Sequence, residues 1–321
     1  MMLLQQALGV KEDAFLIENN YEGLEADVRS LDYLDQLAKL PKEAVKAAIA
    51  VSDKNGAHLA IAFKNTHPEG DFWLVIPYPL APASRQQTET LANKVLSSGI
   101  VASVKKKKTD AKKLDAAVRE YLSISLAEGA LCDCIIEKEP LSFAMNDRRN
   151  QRIRKLMKKL ASENGYDLKT VDALEICCGN GMSTAAIRPL FKSVLAMDND
   201  RCAVCNGLYY EILEPENTMV ADAMQLSKYM HVKYGAVVGF MLGAIYEFNK
   251  DLWQTIFAES IKVLDDGGFL LLTVSKREEI DFLASAFKAM NVEGIVIDNQ
   301  DEESIYDGWV FYARRKVSKP R

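Results

Sequence analysis

The sequence lacks any apolar run long enough to cross a membrane. It also lacks a basic N-terminal region followed by a long apolar stretch and a small-residue cleavage site, so we expect no signal peptide and a cytoplasmic protein. An excess of positive charge is missing as well, and the formal net charge of −5 argues against a general polyanion binder. With 49% hydrophobic and 26% charged residues, the 321 residues can bury ordinary cores and are not disordered.

Cysteine is too sparse for a disulfide framework. Six cysteines without a secretory signal are expected to be reduced thiols. They fall in three close pairs that could supply thiolates to zinc or an iron–sulfur cluster: Cys132 and Cys134, Cys177 and Cys178, and Cys202 and Cys205. The second pair sits inside a glycine turn, the third lies on a predicted helix, and no histidine is near. We therefore predict no metal site.

Residues 171–200 carry a nucleotide-binding pattern. The predicted elements are a strand at 171–176, a turn with Gly179 and Gly181, a helix from 182 to about 191, and a strand at 193–197 that stops at Asp198. Glycines in the turn can take positive φ and let the backbone approach a ligand. Parallel α/β sheets hold an adenosine with this unit, and the terminal acid accepts hydrogen bonds from two ribose hydroxyls.

The residues of the turn also distinguish between two classes of cofactor, dinucleotides and S-adenosylmethionine. A dinucleotide fold needs a third glycine three residues after the second, and that position is Thr184. Glu175 ends the strand, where a carboxylate would repel a pyrophosphate but can order a loop that receives an ammonium-bearing amino-acid tail. This pattern favours S-adenosylmethionine over NAD.

These residues resemble the first motif of the class I S-adenosylmethionine-dependent methyltransferases, an acid followed by a G-x-G-x-G turn. The chain matches it with Glu175, Cys177, Gly179 and Gly181, and Cys177 replaces the first glycine. The resemblance covers roughly residues 141–314. It implies that this segment binds S-adenosylmethionine, that the two glycines line its methionine portion, and that Asp198 is the ribose acid.

Residues 220–223 resemble the motif that follows the third strand of that family. The resemblance implies that Asp222 meets the adenine amino group and that Ala223 lies near the ring. It also implies the fold class, an α/β Rossmann-like sheet of seven strands with the last one antiparallel. Periodicity agrees, predicting strands at 234–238, 269–274, 292–298 and 309–313, helices at 252–264 and 277–290, and a sharp stop at 265–268.

In this family the methyl acceptor normally sits at the end of the fourth strand. There the chain lacks both the Asp- or Asn-Pro-Pro-aromatic motif of amino-directed nucleic-acid enzymes and the Pro-Cys or Thr-Cys nucleophile of pyrimidine-carbon enzymes. An apolar wall ending in Tyr246, Glu247 and Asn249 suits a neutral or soft nucleophile, with Glu247 as candidate base and Tyr246 shaping the pocket. The alternative is that residues 240–242 are plain core and that Glu247 caps the helix starting near Asn249.

The segment ahead of the first motif offers two further candidates. Asn146 and Arg149 are placed to reach the cofactor carboxylate or the substrate, although Asn146 is also a preferred helix N-cap residue. Residues 148–159 are strongly basic and could grip RNA phosphates. The alternative, which we favour, is a solvated helix face above a buried apolar stripe.

Residues 1–139 are predicted to form a separate α+β domain, and residues 140–321 the methyltransferase domain, with the junction near 137–140. The predicted elements are helices at 22–40, 85–98 and 110–126 and strands at 45–52, 58–64, 71–78 and 100–105 in a mainly antiparallel sheet. Asn55 and Gly56 predict a hairpin turn. The domain recognises the substrate or, alternatively, mediates dimerisation or stabilises the chain.

Three functions follow from the resemblance. The first is an S-adenosylmethionine-dependent methyltransferase acting on a protein side chain or a small metabolite. The second is an RNA methyltransferase, which would add a salt-dependent polyanion affinity. The third is an interaction subunit that binds the cofactor without turnover.

Overall fold

The computed structural model describes residues 1–26, 28–78, 82–128, 147–230 and 232–316. The chain divides into two compact units, Met1–Leu131 and Cys132–Arg321. The junction near 137–140 lies outside the described residues, so the domain limits 1–139 and 140–321 stay a prediction.

Among its described residues, the first unit has one sheet with helices on both faces. The strands are β1 (Asp13–Leu16), β2 (Ala48–Ser52), β3 (His58–Asn65), β4 (Phe72–Pro77) and β5 (Val104–Lys108). The helices are α1 (Leu3–Leu8), α2 (Tyr21–Ala26), α3 (Val28–Leu37), α4 (Pro82–Ser97) and α5 (Ala111–Ala127). The strand order is β1-β4-β3-β2-β5.

The predicted α+β class and the predicted hairpin are confirmed. Strands β2 and β3 pair antiparallel, and Gly56 takes a φ of 90° in their turn. The prediction of a mainly antiparallel sheet holds only for the three central strands, because β1 is parallel to β4 and β5 is parallel to β2. Strand β5 begins at Val104 rather than at residue 100, since Val101 forms only an isolated bridge with Val45.

Alternating side chains of this sheet bury two separate clusters. On one face Ile49, Val51 and Trp73 pack with α1 and α5. On the other face Ile61 and Phe63 pack with residues of α3 and α4. Strand β5 is an edge of the sheet, and its lysines are largely exposed.

The described part of the second unit holds a seven-stranded sheet. The strands are β6 (Asp172–Ile176), β7 (Ser193–Asp198), β8 (Thr218–Val220), β9 (Tyr234–Gly239), β10 (Leu264–Val274), β11 (Gly294–Asp298) and β12 (Trp309–Arg314). The helices are α6 (Asp147–Asn164), α7 (Met182–Ile187), α8 (Arg201–Tyr209), α9 (Leu226–Tyr229), α10 (Lys250–Val263) and α11 (Arg277–Ala289).

The strand order is β11-β12-β10-β9-β6-β7-β8. Strand β12 pairs antiparallel with β10 and β11, and the other neighbours pair parallel. This confirms the predicted sheet with an antiparallel last strand. Strand β11 is an edge, and its Ile295 and Val296 are exposed.

Two element boundaries differ from the prediction. Helix α7 ends at Ile187 instead of about residue 191, because Pro189 cannot continue a helix. Strand β10 follows α10 directly from Leu264, where we expected a sharp stop at 265–268, and its register with β9 shifts between Leu264 and Phe269. A Cβ at Gly268 would lie 2.7 Å from the carbonyl oxygen of Gly235, so the irregular stretch needs a glycine there.

The strand order of the second sheet places the expected ligand site at the carboxyl ends of β6 and β9. The chain order reverses between β6 and β9, and in open parallel sheets ligands bind at such a point, outside the carboxyl ends of the strands. No helix among the described residues is both long and apolar enough to span a membrane.

Candidate cofactor site

The turn after β6 is held in a left-handed backbone conformation. Cys177, Gly179 and Gly181 have φ values of 55°, 54° and 86°. Cys177 therefore takes the conformation that a glycine would take at the first position of the motif, at a cost of about 1 kcal/mol. The turn has the shape of the motif although its first glycine is missing.

The two glycines of this turn have different surroundings. A Cβ at Gly181 would lie 2.5 Å from Cδ2 of Leu213, so packing requires a glycine there. A Cβ at Gly179 would meet no atom of the described residues within 4 Å, so among these residues the glycine faces open space. Gly181 closes the turn onto the protein, and Gly179 leaves room for a ligand.

Asp198 connects the turn to the end of β7. Its Oδ2 accepts a hydrogen bond from the Gly179 N–H at 2.8 Å, and its Oδ1 accepts one from the Asp200 N–H at 2.9 Å. A carboxylate has about four acceptor positions. Among the described residues, two acceptor positions of Asp198 therefore stay open for hydroxyl groups, as a ribose acid requires.

The third predicted motif lies beside Asp198. The Ala221 N–H donates to the Asp198 carbonyl oxygen at 3.0 Å. Asp222 caps the short 3₁₀ helix Ala223–Gln225, and its Oδ1 accepts from the Met224 N–H at 2.8 Å. Ala223 is 8% exposed. The structure thus brings the ends of β6, β7 and β8 together.

Glu175 is fully buried below the turn. Its Oε2 accepts from the Thr184 hydroxyl at 2.6 Å, and its Oε1 makes no hydrogen bond of standard geometry with any described residue. Burial raises the pKa of Glu175 from 4.5 to about 7, although the nearby Ser183 and Thr184 hydroxyls and the charge of Arg149 favour the ionised form. Thr184 occupies the position of the third glycine of a dinucleotide fold. In this chain its hydroxyl donates a hydrogen bond to the Glu175 carboxyl group.

Burial suppresses the nucleophilic reactivity of the two cysteines of the turn. Burial, with the charges of Asp198 and Glu175, raises the pKa of Cys177 to about 12, and burial raises that of Cys178 well above its ordinary value. Both are therefore protonated thiols. Within the described ranges no three histidine, cysteine or acidic side chains come together as a metal site, and Cys132 and Cys134 lie outside those ranges.

Arg149 is engaged with an acid that the sequence analysis missed. Its Nε lies 2.7 Å from Oδ2 of Asp307, and the two side chains are only 7% and 4% exposed. The Asp307 Oδ1 also accepts from the Thr273 hydroxyl at 2.5 Å, and that hydroxyl oxygen accepts from the Met241 N–H at 2.7 Å. This network joins Arg149 on α6 and Thr273 on β10 to Met241, which lies shortly after the end of β9. Asn146 lies outside the described residues.

The basic residues at the start of α6 pair with the acidic loop between β11 and β12. Arg148 forms ion pairs with Asp301 and Glu303, and Arg152 forms one with Asp301 at 3.2 Å. An RNA phosphate would have to displace these carboxylates.

The predicted catalytic residues lie on an exposed segment after β9. The Glu247 carboxylate is 88% exposed and lies 2.5 Å from Nζ of Lys250. Tyr246, 51% exposed, stacks on Phe248 with ring centroids 5.4 Å apart. Asn249 orders the segment, accepting from the Tyr246 N–H at 2.8 Å and donating to the Ala244 carbonyl at 3.0 Å.

The alternative interpretation of this segment is correct in one respect. Phe240 and Leu242 are each 3% exposed and belong to the core. Glu247 begins the 3₁₀ helix Glu247–Asn249, for which Tyr246 is the N-cap residue. The roles of Glu247 as a base and of Tyr246 in shaping the pocket stay predictions.

No protein-family model matches the sequence, and no curated protein matches it. Among solved structures, a magnesium protoporphyrin IX methyltransferase from Synechocystis PCC 6803 is 14% identical over 65% of this chain and 98% of its own, with a TM-score of 0.42. A sugar N-methyltransferase from Streptoalloteichus is 12% identical over 58% and 95%, with a TM-score of 0.44. An rRNA methylase from Streptococcus thermophilus is 16% identical over 57% and 99%, with a TM-score of 0.37.

The fold of the second unit follows from its own strand pairing. The seven strands, with β12 as the antiparallel one, form the Rossmann-like sheet that the resemblance to the class I methyltransferases predicted. The second unit therefore has a Rossmann-like fold.

Proposed function

We propose that the second unit binds S-adenosylmethionine and transfers its methyl group to a small metabolite or a protein side chain. The observation that carries this proposal is the meeting of three motif segments at one sheet edge. Gly179 donates to Asp198, Ala221 donates to the same aspartate's carbonyl, and open space lies above Gly179. Together they form a cradle at the point where the chain order reverses.

The chemistry of the donors fits this cofactor. The carboxylates of Asp198 and Asp222 keep acceptor positions for the ribose hydroxyls and the adenine amino group. The carboxyl of Glu175 below the turn offers an acceptor, which suits an ammonium group and disfavours a pyrophosphate. Arg149 and Asn146 stay candidates for the cofactor carboxylate, Arg149 through a rearrangement of its pair with Asp307.

The cofactor supplies an electrophilic methyl group on a sulfonium, so no covalent catalyst is needed. The residues of this chain have to orient the acceptor, exclude water and take up a proton where the nucleophile releases one. We assign the proton to Glu247, because its carboxylate is exposed on the segment that follows β9, where Asn249 orders the backbone. Tyr246 and Phe248 supply a flat apolar wall for the acceptor.

The other two functions have less support. The ion pairs of Arg148 and Arg152 with the acidic loop speak against phosphate binding by α6. The segment that carries Glu247 follows β9, next to the point where the chain order reverses, and Asn249 orders it, which suits turnover rather than binding alone. Substrate recognition by the first unit is part of the proposal.

Methyl-labelled S-adenosylmethionine and a fractionated cell extract test the proposal with the full chain. We expect label in small molecules or in protein, and no label with the Asp198→Ala variant. Label confined to RNA would overturn the proposed acceptor class. Absence of cofactor binding to the wild type in calorimetry would overturn the cofactor assignment itself.

A further inference from the structure

A cavity of about 530 Å³ lies in the first unit, on the sheet face that α1 and α5 cover. Its polar lining is dominated by positive charge. Five lysines and one acid contribute to it: Lys11, Lys64, Lys105, Lys106, Lys107 and Glu12. Leu8 and Ile49 contribute apolar surface. Its volume is in the range of small-molecule sites.

The strand register explains why the lysines converge. Lys105 pairs with Ile49, and Lys107 pairs with Val51. Paired residues of neighbouring strands point to the same face, so both lysines extend over the face on which Ile49 and Val51 are buried. A Cβ at Gly9 would lie 2.9 Å from Nζ of Lys107, so the glycine after α1 leaves the room that this lysine occupies.

Most of this positive charge is not neutralised by the residues that the structure describes. Lys64 is the exception, because its Nζ lies 2.9 Å from Glu12 and 3.1 Å from Asp71. The hydrogen bond with Lys64 is the main cause that lowers the pKa of Glu12 to about 2, so this acid is committed to that lysine. The remaining four lysines, Lys11, Lys105, Lys106 and Lys107, form no ion pair with any residue that the structure describes.

Trp73 supplies an indole donor to the cavity wall. It is 4% exposed, and its Nε1–H makes no hydrogen bond of standard geometry within the described chain, although the indole is near enough to Glu12 to help lower the pKa of that acid. Buried donors nearly always have an acceptor. An anionic oxygen entering the cavity would supply one.

We propose that this cavity binds a small molecule that carries at least two negatively charged groups, phosphates or carboxylates, on an apolar body. Four unneutralised lysines attract the charges, and the apolar lining receives the rest of the molecule. The limited volume favours a small anion over a nucleic acid. The site belongs to the first unit and does not depend on the methyl-transfer function.

Calorimetric titration of the full chain with inorganic pyrophosphate and with citrate tests the site and distinguishes phosphate from carboxylate recognition. We expect at least one probe to bind the wild type and to bind Lys105→Gln/Lys107→Gln about 10-fold more weakly. The matched control is Lys112→Gln/Lys113→Gln, which removes the same charge from exposed positions at the start of α5, outside the cavity lining. Its affinity should stay within about twofold of the wild type.

Trp73→Phe provides an independent readout, because it removes the indole donor and keeps an aromatic ring. We expect weaker probe binding while the thermal unfolding midpoint shows that the variant is folded. Failure of both probes to bind the wild type at about 10 mM would overturn the site. Equal losses of probe affinity in the Lys105/Lys107 variant and the Lys112/Lys113 variant would also overturn the site. So would a protein that binds only single-stranded RNA and loses RNA affinity equally in both variants. Either result would mean that the lysines attract anions through diffuse surface charge.

Discussion

The backbone N–H of Gly179 donates a 2.8 Å hydrogen bond to Oδ2 of Asp198, nineteen residues along the chain. The bond fixes the turn after β6 to the end of β7. The proposed ribose acid therefore also shapes the turn proposed to hold the methionine portion. A change at Asp198 should affect both parts of the cofactor site.

Asp198→Ala is expected to weaken S-adenosylmethionine binding by at least about 10-fold, because ribose hydroxyls and the Gly179 N–H both lose an acceptor. Asp200→Ala is the control, since Asp200 caps α8 through the Cys202 and Ala203 N–H groups. It should lower the free energy of unfolding by about 1 kcal/mol and leave the affinity nearly unchanged. Calorimetry and urea unfolding measure the two effects, and equal affinities for all three proteins would refute the assignment.

Alanine at the two turn glycines should separate stability from binding. Both have positive φ, which costs alanine about 1 kcal/mol. Gly181→Ala also overlaps Leu213 and should lose a further 1–3 kcal/mol or so in urea unfolding. Gly179→Ala should be the more stable variant and yet bind S-adenosylmethionine less well, because its methyl group enters the open cradle. If Gly179→Ala were the less stable of the two variants, the packing described here for the two glycines would be wrong.

Glu175→Gln should remove a pH dependence of stability. Because burial raises the pKa of Glu175 to about 7, the folded protein keeps a proton there that the unfolded chain releases above about pH 4.5. Wild-type stability should therefore fall, relative to Glu175→Gln, as pH rises from 4.5 to 7, by up to about 3 kcal/mol. Urea unfolding at several pH values measures the difference. A constant difference would mean that the carboxyl is not desolvated.

Asp307→Asn tests the buried pair with Arg149. Asparagine tolerates the positive φ of 57° at this position, so the loss should come from the broken ion pair with Arg149. We expect the free energy of unfolding to fall by about 3 kcal/mol. The exposed pair of Arg277 and Asp281 supplies the control, and Asp281→Asn should cost less than about 1 kcal/mol. Equal small losses would show that Asp307 is dispensable.

Glu247→Gln tests the proposed base. With an identified acceptor, kcat should fall by about 100-fold or more while cofactor affinity is unchanged. Glu293→Gln is matched to it, because Glu293 is also exposed and paired with a lysine, Lys316. It should leave kcat unaltered. A normal kcat for Glu247→Gln would remove this residue from the mechanism and leave methyl transfer itself intact.

The motif residues of the site could be predicted because each lies within a few positions of a strand end. Glycines and acids at the ends of β6, β7 and β8 meet once those strands pair, so sequence order was enough to group them. Asp307 could not be found in this way, since it is 158 positions from Arg149 and is one of several acids in its loop. Nothing in the local sequence distinguishes it.

The outer strands of the first unit were harder to predict for a related reason. Strand β3 joins β2 through a short turn with its own sequence signal, whereas β1 and β5 pair parallel with strands distant in sequence. The four consecutive lysines that make up most of β5 also lack the apolar alternation that predicts a strand. The positions of β1 and β5 in the sheet therefore depend on pairing between strands that are far apart in the sequence.

The sheet edges at β5 and β11 differ in their resistance to aggregation. Lysines along β5 repel an incoming strand, whereas β11 presents exposed Ile295 and Val296 beside free backbone groups. Concentrated samples are therefore expected to associate through β11. Ile295→Lys is the simplest change to keep preparations dispersed for crystallisation, and light scattering would reveal the improvement.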